Sequence, residues 1–170
     1  MSKATKWMSM AALVLLTHGF AQAVDFGGRT PEVNELVDAL NPPKTRGMVG
    51  VAGAAAANKG RASMQIGFEL GSSKVIDSDL PKLQRLAEAL ASDALQTARF
   101  QVVGHTDATG PLALNMALSR QRAESVAAYL VSQRIDASRL TPEGRGPKEL
   151  LNKERPEAAE NRRVELVVQK

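Results

Sequence analysis

The hydrophobic and polar positions of this 170-residue chain change their spacing several times along its length. A mainly apolar run stands near the N-terminus, Gly and Ala dominate residues 47–60, and regular patterns fill most of the remainder. Strict alternation of apolar and polar residues predicts a strand, whereas apolar positions three or four apart predict a helix. Because the regular patterns begin near Ser63, the main folded domain is predicted over residues 62–170.

Four strands are predicted in this domain. Met64, Ile66 and Phe68 alternate with Gln65 and Gly67, which predicts the first strand. Shorter patterns predict the other three strands over residues 100–103, 138–143 and 164–168. The last two of these strands are separated by a polar stretch with Gly146, Pro147 and Pro156.

Two helices are predicted between the strands. The first is expected to begin after Asp77 or Ser78, either of which can cap it. The second is predicted over residues 114–132. The order β-α-β-α-β-β predicts an α+β fold, with the helices packed on one face of a mixed sheet. The predicted inward positions are Leu80, Leu83, Leu86, Ala87 and Leu90 in the first helix and Leu118, Val126 and Leu130 in the second.

The N-terminal segment has the features of a secretory signal peptide. Lys3 and Lys6 precede the apolar run over residues 7–16, and Ala21-Gln22-Ala23 follows as a cleavage site. The apolar run is short for a bilayer core about 30 Å thick, which argues against a membrane anchor. We therefore predict a signal peptide over residues 1–23, cleaved after Ala23, and a periplasmic location.

Residues 24–61 are predicted to form an N-terminal segment and a flexible linker. Residues 31–40 have one apolar face and predict a short helix, which Asn41-Pro42-Pro43 would end. Residues 47–60 have few core-forming side chains. Whether this stretch is a tether with a purpose or a plain spacer is left open by the sequence.

Composition excludes several classes of protein. Removing Lys3 and Lys6 with the signal peptide lowers the formal charge from +4 to +2, and acids and bases alternate from Lys74 onward, so no nucleic-acid partner is expected. The chain has no cysteine, which excludes disulfides, thiolate metal sites and the usual N-terminal lipid anchor. His105 is the only histidine after the signal peptide, so no metal site and no cofactor are expected.

Three motifs give the domain its specific character. They are VGHTD at residues 103–107, N..LS..RA at residues 115–123 and NRRVE at residues 161–165. Over about residues 63–170 the chain resembles the OmpA-like family, which comprises the C-terminal domains of OmpA, Pal and MotB. The resemblance implies the fold described above. It also implies non-covalent binding of peptidoglycan at the diaminopimelate residue of its stem peptide.

The resemblance also implies which residues bind. Asp107 and Arg122 are expected to carry most of the recognition, because diaminopimelate ends in an ammonium and a carboxylate on one carbon. Asp107 would accept hydrogen bonds from the ammonium, and Arg122 would donate two parallel hydrogen bonds to the carboxylate. The turn at residues 71–73 lacks the Asp or Asn of some family members, so only backbone contacts are expected there. The family pattern adds Thr106, Asn115, Leu118 and Arg162 around the same pocket.

Simpler interpretations exist for each of these residues taken alone. Asp107 could make an Asx turn, Arg122 could be a solvated helix residue, and Arg162 and Arg163 could be charges at a strand edge. The combined motifs favour binding for Asp107 and Arg122 and leave Arg162 open. A catalytic arrangement of His105 with Asp107 and Ser119 lacks a nucleophile motif, so no enzyme is expected.

The sequence thus predicts a periplasmic, wall-associated protein that binds peptidoglycan, with association with the outer membrane left open. An alternative is a structural component of an envelope complex of the secretion or motility type. In that alternative, residues 24–61 would bind a protein partner, with the helix over residues 31–40 as the contact element. The two functions are compatible.

Overall fold

The computed structural model describes residues 23–41 and 60–169, which form a mixed α+β fold. The predicted signal peptide, apart from Ala23, and the Gly- and Ala-rich stretch, apart from Gly60, lie outside the described residues. The helices pack on one face of the sheet, and the predicted fold class is confirmed. The helices are α1 (Val33–Leu40), α2 (Leu80–Ala91) and α3 (Leu112–Ser132). The strands are β1 (Val24–Asp25), β2 (Arg61–Met64), β3 (Arg99–His105), β4 (Leu140–Gly146) and β5 (Val164–Gln169).

The sheet has the strand order β1-β2-β5-β3-β4. The pairs β1–β2 and β3–β4 are parallel, whereas β5 is antiparallel to both β2 and β3. The last strand is therefore central, and the strand end that carries NRRVE lies directly beside the end of β3 that carries HTD. Residues 55 positions apart, Asp107 and Arg162, are brought into contact by this arrangement.

The core lies between the helices and the sheet and is built from aliphatic side chains. Leu83, Leu86 and Leu90 of α2 are fully buried, as predicted, while Leu80 is only partly buried. The expected inward position of Leu118 is wrong, because this side chain is partly buried and lies outside the core cluster. In the first half of α3 the inward positions belong to Asn115, Ser119 and Arg122. Successive residues of a helix point about 100° apart, so Leu118, which precedes Ser119, faces a different direction.

Strand and helix ends differ from the predictions in three places. The first predicted strand pairs in the sheet only over β2, and Phe68 makes no more than an isolated bridge with Val75. β4 begins after a short 3₁₀ turn and continues to Gly146. Neither Asp77 nor Ser78 caps α2; a 3₁₀ turn at Asp77–Asp79 leads into the helix instead.

The N-terminal residues 23–41 pack against the rest of the fold. β1 pairs with β2 along the sheet edge, and the buried side chains of Leu36, Ala39 and Leu40 join the common core. The short helix is therefore present, but its apolar face is covered by the chain itself. A protein partner would need a different surface of this segment.

Two glycines allow α3 to lie close to the sheet. Gly104 and Gly144 are paired across β3 and β4, directly under Ser119. A Cβ atom on Gly104 would lie 2.1 Å from the backbone oxygen of Ser119, and one on Gly144 would lie 2.6 Å from its Oγ. This close approach fixes the polar first half of α3, including Arg122, beside the ends of β3 and β5.

Candidate functional site

The loop that carries Asp107 is held by hydrogen bonds from three directions. The Asp107 carboxylate accepts the backbone N–H of Thr109 at 3.0 Å, which is the Asx turn considered from the sequence. Asn115 of α3 donates its side-chain N–H to the Thr109 carbonyl at 2.9 Å. The backbone N–H of Ala108 donates to the Pro156 carbonyl at 2.9 Å. Asn115 thus positions the loop.

Asn161 holds the opposite wall of this region. Its side chain is fully buried and donates to the carbonyls of Asn152, Arg155 and Pro156 at 3.0–3.2 Å. The same residue ends a 3₁₀ turn, Ala159–Asn161, so that Arg162 follows at a fixed position. The buried Asn161 amide therefore holds two parts of the site. It bonds the Pro156 carbonyl, which also accepts from the Asp107 loop, and it directly precedes Arg162, which contacts Asp107.

Asp107 and Arg162 form a direct ion pair. Arg162 Nη1 donates to Asp107 Oδ2 at 2.8 Å, and the Arg162 side chain is 46% exposed. Burial raises the pKa of Asp107, but the hydrogen bonds from Arg162 and Thr109 outweigh it and hold this pKa below its usual value. Asp107 is therefore an anion at neutral pH, with Arg162 as a partner that solvent can reach.

Arg122 is a buried cation of a different kind. Its residue is 9% exposed, its Nε donates to the Ser72 carbonyl at 3.3 Å, and its guanidinium lies 4.7 Å from the ring centre of Phe68. Within the described parts of the chain, its two Nη atoms have no hydrogen-bond partner and no carboxylate forms an ion pair with it. Burial lowers the pKa of Arg122, the charge of Arg162 lowers it further, and Asp107 acts in the opposite direction.

A cavity of about 250 Å³ opens beside Arg122. Two of the six predicted site residues, Arg122 and Arg162, line this cavity. Asp107 does not line it, but its carboxylate contacts Arg162, which does. Thr106 is buried beside the Asp107 loop, and its Oγ1 has no hydrogen-bond partner among the described residues. The described lining residues are Gln65, Ile66, Gly67, Phe68, Asp79, Lys82, Arg122, Ala159 and Arg162.

An ion pair between Asp79 and Lys82, which the sequence did not predict, also lines the cavity. Lys82 Nζ lies 3.0 Å from Asp79 Oδ1 and donates to the Gln65 carbonyl at 3.0 Å. The Lys82 and Asp79 side chains are only 7% and 15% exposed. Lys82 stands four residues before Leu86 and so shares the inward face of α2, which was the available signal. Its place in the cavity depends on contacts between segments distant in sequence.

The sheet face opposite the helices carries a separate buried charge cluster. Arg163 Nη2 donates to Glu165 Oε1 at 2.7 Å, and Arg61 Nη2 donates to Glu165 Oε2 at 2.6 Å. His105 Nε2 lies 3.4 Å from Glu165 Oε1. Because β5 is a central strand, the interpretation of Arg163 as a strand-edge charge is wrong.

This cluster also bears on the catalytic alternative. The His105 ring is fully enclosed, and neither ring nitrogen has a hydrogen-bond partner among the described residues. Ser119 Oγ donates to the Met116 carbonyl and accepts the Gly146 N–H, both at 2.9 Å. The hydrogen bond between serine and histidine that such a mechanism needs is therefore not formed.

The buried histidine predicts a dependence of stability on pH. Burial and the charge of Arg163 lower the pKa of His105 to about 3, although Glu165 acts to raise it. The unfolded chain takes up this proton near pH 6.5, so between these two values it binds more protons than the folded chain and stability falls as the pH falls. We expect about 2–3 kcal/mol of stability to be lost between pH 7 and pH 4.5 through this residue.

Urea unfolding of the wild type and His105→Gln at both pH values measures this loss. Carboxylates far from residue 105 contribute equally to both proteins, so the difference between the two pH dependences reports on His105 together with its neighbour Glu165. Identical pH dependences in the two proteins would contradict the prediction.

Residues 23–41 and 60–169 contain neither a membrane-spanning helix nor a cluster of metal ligands. No helix in these ranges is long and apolar enough to cross a membrane. Nor do these ranges bring three or more His, Asp or Glu side chains together in a way that could hold a metal ion.

The fold and the site lead to a family assignment. The OmpA family matches residues 67–163, a range that contains the Asp107 loop, α3 and the Arg162 turn. The chain belongs to the OmpA family, and the resemblance noted from its motifs is confirmed. The expectation of a protein that is not an enzyme agrees with this assignment.

Similar proteins of known sequence share only part of their length with this chain. The probable lipoprotein YiaD of Escherichia coli is 48% identical over 69 residues, which are 39% of this chain and 32% of YiaD. The peptidoglycan-binding protein ArfA of Mycobacterium tuberculosis is 37% identical over 105 residues, 61% of this chain and 32% of ArfA. The chain thus matches about a third of the length of each of these relatives.

Solved structures show the same architecture. The peptidoglycan-associated lipoprotein of Burkholderia pseudomallei has a TM-score of 0.53 at 28% identity, covering 63% of this chain and 89% of that one. A MotB-like protein of Desulfovibrio vulgaris has a TM-score of 0.57 at 21% identity, covering 81% of this chain and 90% of that one. The second likeness concerns the fold alone.

Proposed function

We propose that this domain binds peptidoglycan non-covalently, through the diaminopimelate residue of the stem peptide, and so anchors the protein to the cell wall. The observation that carries the proposal is the buried guanidinium of Arg122, which has no carboxylate partner among the described residues and lines a cavity. A buried charge without a counter-ion is costly, and an incoming carboxylate removes that cost. The site is built to receive an anion.

The ammonium of the same ligand needs an anion of the protein. Asp107 is the candidate, and in the free protein its Oδ2 is already bound by Arg162. We expect the ligand ammonium to replace Arg162 at this oxygen. The exposed Arg162 side chain can then turn toward the ligand carboxylate beside Arg122. This exchange would explain why Arg162 belongs to the site although it is exposed.

The relatives support this proposal. ArfA is named for peptidoglycan binding, and the similar Burkholderia pseudomallei structure is a peptidoglycan-associated lipoprotein. A periplasmic location agrees with the same proposal, because peptidoglycan lies there, and cleavage of residues 1–23 is proposed with it from the N-terminal pattern. A single weak site is sufficient for anchoring, since the wall presents many copies of the stem peptide at high local density.

Asp107→Asn tests the ammonium contact. The amide can still accept the Thr109 N–H, so the loop is expected to fold, but the negative charge is lost. We expect binding to diaminopimelate-type sacculi to fall about tenfold, as measured by co-sedimentation over a series of protein concentrations.

Asp136→Asn is the matched control for this experiment. Asp136 accepts the Ser138 N–H in the same kind of turn, but it is exposed and does not line the cavity. Its turn precedes the short 3₁₀ segment Ala137–Arg139 before β4. This variant is expected to pellet like the wild type. Equal pelleting of the Asp107 and Asp136 variants would reject the role of Asp107, and a wild type that stays in the supernatant would reject the proposed function.

A further inference from the structure

The charges that line the cavity exceed those of a single zwitterion. Arg122, Arg162 and Lys82 each contribute a positive charge, and Asp79 is the one acidic residue among the described lining residues. The described residues that line the cavity therefore carry a net charge of about +2. The carboxylate of Asp107 balances Arg162 from outside the lining. With Asp107 counted, the net charge is about +1, and a ligand that brings one ammonium and one carboxylate leaves that charge in place.

Lys82 is the lining residue whose position most needs an explanation. Its charge is buried in the first turn of α2, where the helix dipole favours anions over cations. An ammonium has three N–H donors, and the described contacts are with Asp79 and the Gln65 carbonyl. A third donor is available on a side chain that lines the cavity.

The carboxylate of Asp79 fixes this arrangement. Asp79 immediately precedes α2 but makes no side-chain capping bond to it. Its Oδ2 accepts the Gly67 N–H at 2.6 Å, and its Oδ1 contacts Lys82. The lysine is thereby held by a side chain and a carbonyl on the same wall as Arg122. The cavity, about 250 Å³, has the volume of roughly eight water molecules, which is more than one carboxylate needs.

We propose that Lys82, held by Asp79, forms a second anion subsite that takes the free carboxylate of the stem residue next to diaminopimelate. This inference rests on the proposed function, because it assigns a further part of the same ligand. A stem residue linked through its side-chain carboxyl keeps its α-carboxylate, which is either free or converted to an amide. The subsite makes the protein prefer the free acid, since the amide brings no negative charge to Lys82.

Two synthetic stem peptides test this preference. They contain diaminopimelate and differ only in whether the neighbouring α-carboxylate is free or amidated. Isothermal titration of the wild type is expected to give about tenfold tighter binding of the free acid. This preference is expected to shrink as salt is raised, because the contact is between charges.

The double variant Asp79→Asn, Lys82→Met removes both charges without leaving either partner unpaired. It is expected to bind the two peptides with equal affinity. Lys74→Met, which removes an exposed lysine that is paired with Glu69 and does not line the cavity, is expected to keep the preference. Thermal unfolding and a one-dimensional NMR spectrum establish whether the double variant is folded. The comparison of the two peptides on the wild type does not depend on that variant.

The outcomes separate this inference from the proposed function. Tight binding of both peptides by the wild type, without a preference, would overturn the Lys82 subsite and leave wall binding in place. A preference that persists in the folded double variant would overturn it as well. Failure of the wild type to bind either peptide would refute the proposed function itself.

Discussion

Replacing Arg122 by Gln is expected to reduce binding to diaminopimelate-type sacculi about 100-fold. The substitution removes two charge-assisted hydrogen bonds to the ligand carboxylate, each worth about 1.5–3 kcal/mol. Arg122 lines the cavity and has no carboxylate partner among the described residues that would have to be released first. Co-sedimentation with purified sacculi, or titration with a stem peptide, measures the loss.

The same variant should be at least as stable as the wild type. A buried cation without a counter-ion destabilises the fold, and Gln removes that charge while keeping much of the side-chain length. Arg120→Gln is the control, because Arg120 lies on the same helix but is exposed and paired with Glu124. Full binding by the Arg122 variant, or a large loss of stability, would contradict the assignment of Arg122 to the ligand.

Replacing Glu165 by Gln is expected to lower the free energy of unfolding by about 3–5 kcal/mol. Glu165 is buried and accepts hydrogen bonds from Arg163 and Arg61, so the substitution leaves buried positive charge without its carboxylate. Burial raises the pKa of Glu165, but the charges and hydrogen bonds of Arg163 and Arg61 outweigh it, and the net pKa is below its usual value. Urea unfolding at pH 7 measures the effect.

Two comparisons make this prediction specific. Glu88→Gln on the exposed face of α2 is expected to change stability by less than about 0.5 kcal/mol. Replacing Arg163 by Met together with Glu165 by Leu should recover much of the loss, because a buried ion pair can often be exchanged for apolar packing. A single Glu165 variant as stable as the wild type would show that the cluster does not depend on this carboxylate.

The elements with a long, regular pattern were predictable from the sequence. α2 repeats its apolar positions along its whole length, and α3 does so in its second half. β3 and β5 contain short apolar stretches at the centre of the sheet. β1 was not predictable, because two residues contain no periodicity and the strand exists only through its pairing with β2. The start of β2 at Arg61 was missed for the same reason, since Gly60 and Arg61 continue a stretch without an apolar pattern.

The candidate site was predictable only where a motif marked it. Asp107, Arg122 and Arg162 stand in three motifs, and the structure places them in one region. The involvement of Phe68, Asp79 and Lys82 could not be read from local patterns, because a residue that packs against Arg122 or lines its cavity is chosen by the tertiary fold. Their sequence neighbours predict only a strand and a helix.

Edge strand β1 has a mechanical consequence for an anchored protein. It runs parallel to β2, and the bonds from Phe26 N–H to the Ser63 carbonyl and from Gln65 N–H to the Gly27 carbonyl lie side by side, each at 2.8 Å. Force applied to residues 24–25, for example through a bound protein partner, loads these bonds together in shear instead of breaking them one after another. Gln65 also lines the candidate ligand cavity, so a force large enough to detach this strand would displace one wall of the cavity. The proposed binding of peptidoglycan would then weaken.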